Sequence, residues 1–173
     1  MYKEVGISSN NVPITLSIWY TERSCPTIVF LPGTMSHPLM YENFLSGLCE
    51  RGFNIIGVHY LSHGKSPKIK MNYTMEDLLY NVYDATTYGM ENYGDNIAVM
   101  GSSQGGILAA MAAGRDTRLK AVFPHNIMLT TLKETMSLTK YPAWTHRFMG
   151  LIQWGFRVGG KLLPNYKVPG DAY

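Results

Sequence analysis

The chain has 173 residues, of which 46% are hydrophobic and 16% are charged, so it is long enough for one good core and too short for two ordinary domains. Its formal net charge of +3 comes without Lys/Arg blocks or the cysteine and histidine spacing of a zinc module, and its two cysteines make no disulfide framework, which argues against a nucleic-acid partner and a secreted scaffold. The N-terminus lacks a signal sequence and no stretch approaches the ~18 apolar residues of a membrane span, so we expect a cytoplasmic protein without a transmembrane segment.

Six stretches of the sequence predict β-strands. The first two, "KEVGISS" and "ITLSIWY", alternate apolar and polar residues around "NNVP", which favours an antiparallel hairpin with one buried face. The other four are nearly continuous apolar runs, namely "TIVFLPG", "NIIGVHY", "NIAVMGS" and "KAVFPHN". Unbroken apolar runs are typical of strands in a sheet that is covered on both faces.

Helical patterns lie between these apolar runs. In "MYENFLSGLCERG" an apolar stripe predicts one buried face, formed by Tyr41, Phe44, Leu45 and Leu48. The next helix opens with Thr74 and Asp77 in the arrangement of a capping box, and "QGGILAAMAAG" predicts a third, short helix. Strands that alternate with helices predict an α/β fold with a doubly wound, mostly parallel sheet.

The composition changes near residue 126. Residues 127–173 contain no convincing strand and mix Met, Leu, Trp, Tyr and Phe with Lys and Arg. We therefore divide the chain into a core at 1–126 and a helical cap or lid segment at 127–173. The cap admits two interpretations: a solvated helical face over ordinary core aromatics, or a surface that meets an amphipathic or anionic ligand.

The strand run "AVMGS" ends in a G-x-S-x-G motif formed by Gly101, Ser103 and Gly105. In such a nucleophile elbow a strained turn between strand and helix exposes the serine, and small flanking residues let the backbones pass closely. The frame selects Ser103 rather than Ser102, because position 100 is Met100 and not glycine. The N-terminus of the following helix and the Gln104 N–H are expected to stabilise negative charge that develops beside Ser103.

Together with this motif, the stretches "FLPGTMSH" and "LCERGFNIIGVHYLSHGKS" give residues 14–126 a resemblance to an α/β-hydrolase. The similar branch includes monoacylglycerol lipases and small carboxylesterases. The resemblance implies a serine hydrolase that cleaves an ester or thioester, with Ser103 as nucleophile and the backbone N–H of Thr34 as second oxyanion donor. The sequence departs from the family's pattern at Pro32, where His is frequent, and at His59, where Asp is frequent.

In this family the catalytic acid and then the histidine follow the cap. The candidates after Ser103 in this chain are Asp116, Glu134, Asp171, His125 and His146. Asp116 follows a helix C-terminus and is expected at the sheet edge opposite Ser103, whereas His125 ends a strand on the correct side. We therefore expect an N-terminal portion of a longer enzyme that lacks the last strands and the usual acid and base. Its open sheet edge would self-associate or bind the missing C-terminal segment.

Several histidines and one methionine give weaker functional signals. His59 and His63 have metal-like spacing but fall at a strand end and in a loop, so we interpret them as an incidental pair and predict no metal and no cofactor. Met35, His37 and His125 are candidates to line the pocket of a small ester or acyl substrate, and His37 either touches substrate or orders its loop. The alternatives to a hydrolase are a catalytically incomplete chain, a binding module that keeps the fold, or an acyltransferase or peptidase on the same scaffold.

Overall fold

A computed structural model describes residues 1–69 and 73–127, together with Leu151, Trp154 and Val158, which are helical. Its centre is a six-stranded sheet in the order β1-β2-β4-β3-β5-β6. The strands are β1 (Tyr2–Ser9), β2 (Val12–Trp19), β3 (Thr27–Leu31), β4 (Asn54–His59), β5 (Ile97–Ser102) and β6 (Ala121–His125). β2 pairs antiparallel with β1 and β4, and the remaining pairs are parallel. The predicted α/β fold with a mostly parallel sheet is confirmed.

The N-terminal hairpin turns at Asn10 and Asn11, whose φ angles are 46° and 63°. Asparagine tolerates this left-handed backbone better than most residues, and two such residues in succession match the twist of the flanking strands. The hairpin predicted around "NNVP" is therefore confirmed, and it places β2 beside β4.

Within residues 1–69 and 73–127, three α-helices flank the sheet, and they are α1 (Glu42–Glu50), α2 (Met75–Tyr93) and α3 (Gln104–Ala113). The predicted capping box of α2 is confirmed, because the Asp77 N–H donates to Thr74 Oγ1 over 3.1 Å and the Thr74 N–H donates to Asp77 Oδ2 over 2.7 Å. The stripe predicted for the first helix is only partly right. Leu45 is fully buried, but Phe44 is 50% exposed and borders a groove described below.

The sheet separates two apolar clusters. The larger cluster lies under α2 and α3 and includes Leu78, Val82 and Leu108, all fully buried. The smaller cluster lies under α1 and includes Phe30 and Leu45. Nearly continuous burial of β3 and β4 agrees with strands that are covered on both faces.

The outer strand β6 forms one edge of the sheet within residues 1–69 and 73–127. It pairs with β5 alone among the described strands, and its Phe123 is 50% exposed. The association expected at this edge stays a prediction. The predicted cap lies almost entirely outside the described residues, and among the helices that the structure describes none is long and apolar enough to cross a membrane.

Asn81 connects α2 to the strand ends that carry the site. Its Oδ1 accepts from the Leu61 N–H over 2.9 Å and its Nδ2 donates to Ser9 Oγ over 2.8 Å, all in the interior. We expect Asn81→Leu to lower the free energy of unfolding by about 2 kcal/mol, because a buried N–H loses its acceptor. Asn92→Leu, at an exposed position of the same helix, should change it by less than about 0.5 kcal/mol. Urea unfolding of both variants tests this, and equal losses would contradict it.

Candidate active site

Ser103 lies in the turn between β5 and α3, with φ 54° and ψ −117°. This backbone conformation is unfavourable for any residue with a side chain. The turn is held by a hydrogen bond of 3.0 Å from the Ser103 N–H to the His125 carbonyl at the end of β6. The Ser103 side chain is exposed, so the turn presents it to solvent at the carboxyl end of the sheet.

The glycines around Ser103 are required by close backbone contacts. A Cβ at Gly101 would collide with the backbone of Gly105, and a Cβ at Gly105 would collide with the Leu31 carbonyl at the end of β3. The start of α3 therefore packs directly on two strands. This is the close passage for which the sequence motif requires small residues.

The loop from Gly33 to Pro38 runs beside this turn. A Cβ placed on Gly33 would lie 3.4 Å from Ser103 Cβ, so the loop passes against the serine. The Ser36 N–H and Oγ both donate to the Gly33 carbonyl, over 3.3 and 2.9 Å. Met35, which precedes Ser36 in this turn, has a φ of 58°. The loop thus forms a tight turn with Thr34 and Met35 exposed at its tip.

Two backbone N–H groups near Ser103 are available to an incoming ligand. Neither the Thr34 N–H nor the Gln104 N–H donates a hydrogen bond to another residue of the described part of the chain. The Gln104 N–H is at the first position of α3, where the helix dipole favours an anion. The Gln104 side chain is turned away toward α2, with Nε2 lying 3.6 Å from Met75 Sδ.

A groove of about 640 Å³ adjoins the turn on the α1 side of the sheet. Its floor is one row across three strands, because Met100 pairs in register with Phe30 and with Phe123. The remaining lining residues are Tyr41, Phe44, Gly101, Ser102, Val122, Pro124 and His125. Of the three side chains predicted to line a pocket, the groove includes His125 but neither Met35, which is 61% exposed, nor His37.

The structure gives no acid or base to Ser103 within residues 1–69 and 73–127, where its side chain makes no hydrogen bond to a histidine or carboxylate. Asp116 is instead bound by Arg118, at 2.7 and 2.8 Å, and this guanidinium lowers the pKa of the Asp116 carboxyl. Asp116 follows α3 near the amino end of β5, at the edge of the sheet opposite Ser103, as expected. Glu134, His146 and Asp171 lie outside the described residues.

The two histidines with metal-like spacing bind separate protein groups. The His63 ring contacts the Leu61 carbonyl over 2.8 Å and the Tyr73 hydroxyl over 3.1 Å, whereas the His59 ring contacts Ser17 Oγ and the Lys65 N–H. Among the residues that the structure describes, no group of three or more His, Cys, Asp or Glu is arranged to hold a metal ion.

His37 lies in the Gly33–Pro38 loop, and the sequence left open whether it touches substrate or orders this loop. Its ring stacks on that of His59 with centroids 5.8 Å apart and an interplanar angle of 18°. Its Nδ1 is buried and has no hydrogen-bond partner in the described ranges. Burial and the charges of Lys68 and Lys65 lower the pKa of His37, so the ring is neutral at pH 7.

A family model for the alpha/beta hydrolase fold matches residues 26–156. The chain belongs to the alpha/beta hydrolase family. No curated protein matches the chain.

Solved structures with the same fold include esterases and a thioesterase. An esterase from Pyrococcus furiosus has a TM-score of 0.66 and 20% identity, over 88% of this chain and 64% of the esterase. The thioesterase domain from the curacin biosynthetic pathway has a TM-score of 0.67 and 19% identity, over 87% of this chain and 52% of that domain. An alpha/beta hydrolase from a Penicillium species is matched with a TM-score of 0.63 and 18% identity, over 70% of this chain and 44% of that one. The chain thus spans about half to two thirds of the length of these proteins.

The backbone of Ser103 predicts different effects on stability for two small substitutions. Ser103→Gly should raise the free energy of unfolding by about 1 kcal/mol relative to Ser103→Ala, because glycine adopts a φ of 54° without a Cβ penalty. Ser103→Ala should leave stability close to that of the wild type, since the exposed hydroxyl is lost without a buried partner. Chemical denaturation measures both. An alanine variant as stable as the glycine variant would show that the turn is unstrained.

The interior position of His59 predicts acid sensitivity. Burial first, and then the charges of His37, Lys65 and Lys68, lower the pKa of His59 to about 3, whereas an unfolded histidine titrates near ~6.5. At this site the unfolded chain therefore binds one more proton between these values, so the stability that neutral His59 contributes is full above pH ~6.5 and is lost at about 1.4 kcal/mol per pH unit below it. Urea unfolding at pH 7, 6 and 5 measures this slope. His59→Asn should reduce this slope by the equivalent of about one bound proton. An unchanged slope in that variant would contradict the low pKa of His59.

Proposed function

We propose that the protein is a serine hydrolase that cleaves a carboxylic ester or thioester through an acyl-enzyme on Ser103. The observation that carries this proposal is the exposed, strained serine between β5 and α3, beside two unpaired backbone N–H groups. A strained backbone retained at an exposed position is typical of a functional site rather than of a simple turn. The esterase and thioesterase folds of the similar structures support the same class.

In the proposed reaction, Ser103 Oγ attacks the carbonyl carbon of the substrate while its proton passes to a histidine base. The carbonyl oxygen becomes an oxyanion that accepts hydrogen bonds from the Thr34 and Gln104 N–H groups. The C–O or C–S bond then breaks, and the alcohol or thiol leaves with the proton held by the base. Water cleaves the resulting acyl-Ser103 ester by the same steps and releases the carboxylic acid.

The base and its orienting carboxylate are proposed to come from outside the described residues. Asp116 is unsuitable because Arg118 binds it bidentately at the other end of the sheet. His125 is the nearest candidate in the described part, since its carbonyl accepts from the Ser103 N–H, but its side chain lines the groove on the α1 side. A serine without a base in reach is a weak nucleophile, so a folded chain without turnover is the second candidate function.

A fluorophosphonate probe applied to the full-length protein, including any residues that follow Tyr173, tests the nucleophile. We expect covalent labelling of the wild type and of Ser102→Ala, and none of Ser103→Ala, because only Ser103 lies in the elbow. Ser102 is a matched control, since it is the adjacent serine at the end of β5 and lines the groove. Mass spectrometry of the labelled peptide identifies the residue.

Four outcomes separate the candidate functions. Labelling of Ser103 together with turnover of a short-chain p-nitrophenyl ester supports the hydrolase. Labelling without turnover of oxygen esters or thioesters keeps Ser103 as the nucleophile but shows that the substrate belongs to another class. A folded wild type that the probe does not label supports the non-catalytic alternative. Labelling that persists in Ser103→Ala overturns the assignment of the nucleophile.

A further inference from the structure

We propose that the His59 imidazole is a positioning residue for the Gly33–Pro38 loop, and that its Nδ1 face sets where the Thr34 N–H lies relative to Ser103. This inference rests on the proposed function for its catalytic consequence, although its structural part stands alone. It assigns a role to the position at which the sequence departs from the family's usual Asp.

The hydrogen bonds of the His59 ring define one tautomer. The Lys65 N–H can only donate, so Nδ1 is the acceptor of that 3.0 Å bond and Nε2 carries the proton. Nε2 then donates to Ser17 Oγ over 2.9 Å. The Ser17 hydroxyl is in turn 3.1 Å from the Tyr2 hydroxyl, which donates to Glu4 over 2.9 Å. One ring nitrogen therefore faces the sheet and the other faces the loop after β4.

The loop after β4 closes tightly on His59. Ser66 Oγ donates to the His59 carbonyl over 2.6 Å and accepts from the Thr15 N–H over 2.9 Å. Gly64 has a φ of 50°, and a Cβ there would collide with His59 Nδ1 and lie 2.7 Å from His37 Cβ. Gly64 thus lies directly against both His59 and His37, and a residue with a side chain would not fit at this position.

The loop that carries Thr34 is fixed at three points. At one end Gly33 packs against Ser103 and the Ser102 carbonyl. At the other end Pro38 packs on Gly57 of β4, where a Cβ would approach Pro38 Cβ to 2.5 Å. Between them His37 stacks on His59. The exposed turn at Thr34 and Met35 lies between these fixed points, so a shift of the His59 ring changes its position relative to Ser103.

Two substitutions separate the two faces of the His59 ring. His59→Asn keeps an acceptor near the position of Nδ1 for the Lys65 N–H, whereas His59→Gln keeps a donor near the position of Nε2 for Ser17. Ser17→Ala is the matched control, because it removes only the sheet-side partner of the same ring. All three are expected to lower the melting temperature, since each leaves a buried polar group without a partner.

Two measurements on the full chain distinguish positioning from mere stability. The first is the second-order rate constant for fluorophosphonate labelling of Ser103. We expect the Gln variant to lose at least about tenfold, the Asn variant to lose less, because it keeps the Nδ1-side acceptor but lacks the ring that stacks on His37, and the Ser17→Ala variant to stay within about threefold of the wild type. The second is the exchange of the Ser36 and Met40 amides, which donate within the loop to Gly33 and His37. We expect faster exchange of both amides in the two variants that lack the ring, with the larger effect in the Gln variant, and no change in Ser17→Ala.

The outcomes are distinct for the two proposals. If the wild type is not labelled at all, the proposed hydrolase function fails, and amide exchange still decides the positioning role. Equal behaviour of the Asn and Gln variants in both measurements overturns the positioning role. A labelling loss in Ser17→Ala as large as in His59→Gln overturns it as well, because the sheet-side bond would then matter equally.

Discussion

The backbone contact between the start of α3 and the ends of β3 and β5 is the constraint on which the site depends. At Gly101 and Gly105 a Cβ would collide with main-chain atoms, which cannot move aside as a flexible side chain can. This contact leaves the intervening residue, Ser103, in a left-handed turn with its side chain exposed. The free energy that holds the strained turn comes from the packed sheet and helix on either side.

The same contact brings two separate stretches of chain together. Gly105 packs on the end of β3, and the chain that leaves β3 enters the loop with Thr34. Because both strands are parallel and adjacent, their carboxyl ends meet at one edge of the sheet, where open α/β sheets bind ligands. Ser103, the start of α3 and the Gly33–Pro38 loop therefore become neighbours through topology.

The fold and the glycine-flanked turn between β5 and α3 were predictable from local sequence, whereas the support of the loop was not. Continuous apolar runs, the Thr74 capping box and the G-x-S-x-G spacing are signals contained in short windows. The stack of His37 on His59 depends on the register of β4 beside β2 and on the space left at Gly64, and no short window encodes these. The groove was also missed, because it requires Phe30, Met100 and Phe123 to align across three strands.

A crystal structure of the protein with a fluorophosphonate bound to Ser103 tests the central claim most directly. The account predicts a phosphorus bonded to Ser103 Oγ, with one phosphonyl oxygen within about 3 Å of both the Thr34 and the Gln104 nitrogen. It also predicts that the Gly33–Pro38 loop keeps its contacts with Gly57 and Gly64. A phosphonyl oxygen that points into solvent, or an adduct on another residue, would contradict the account.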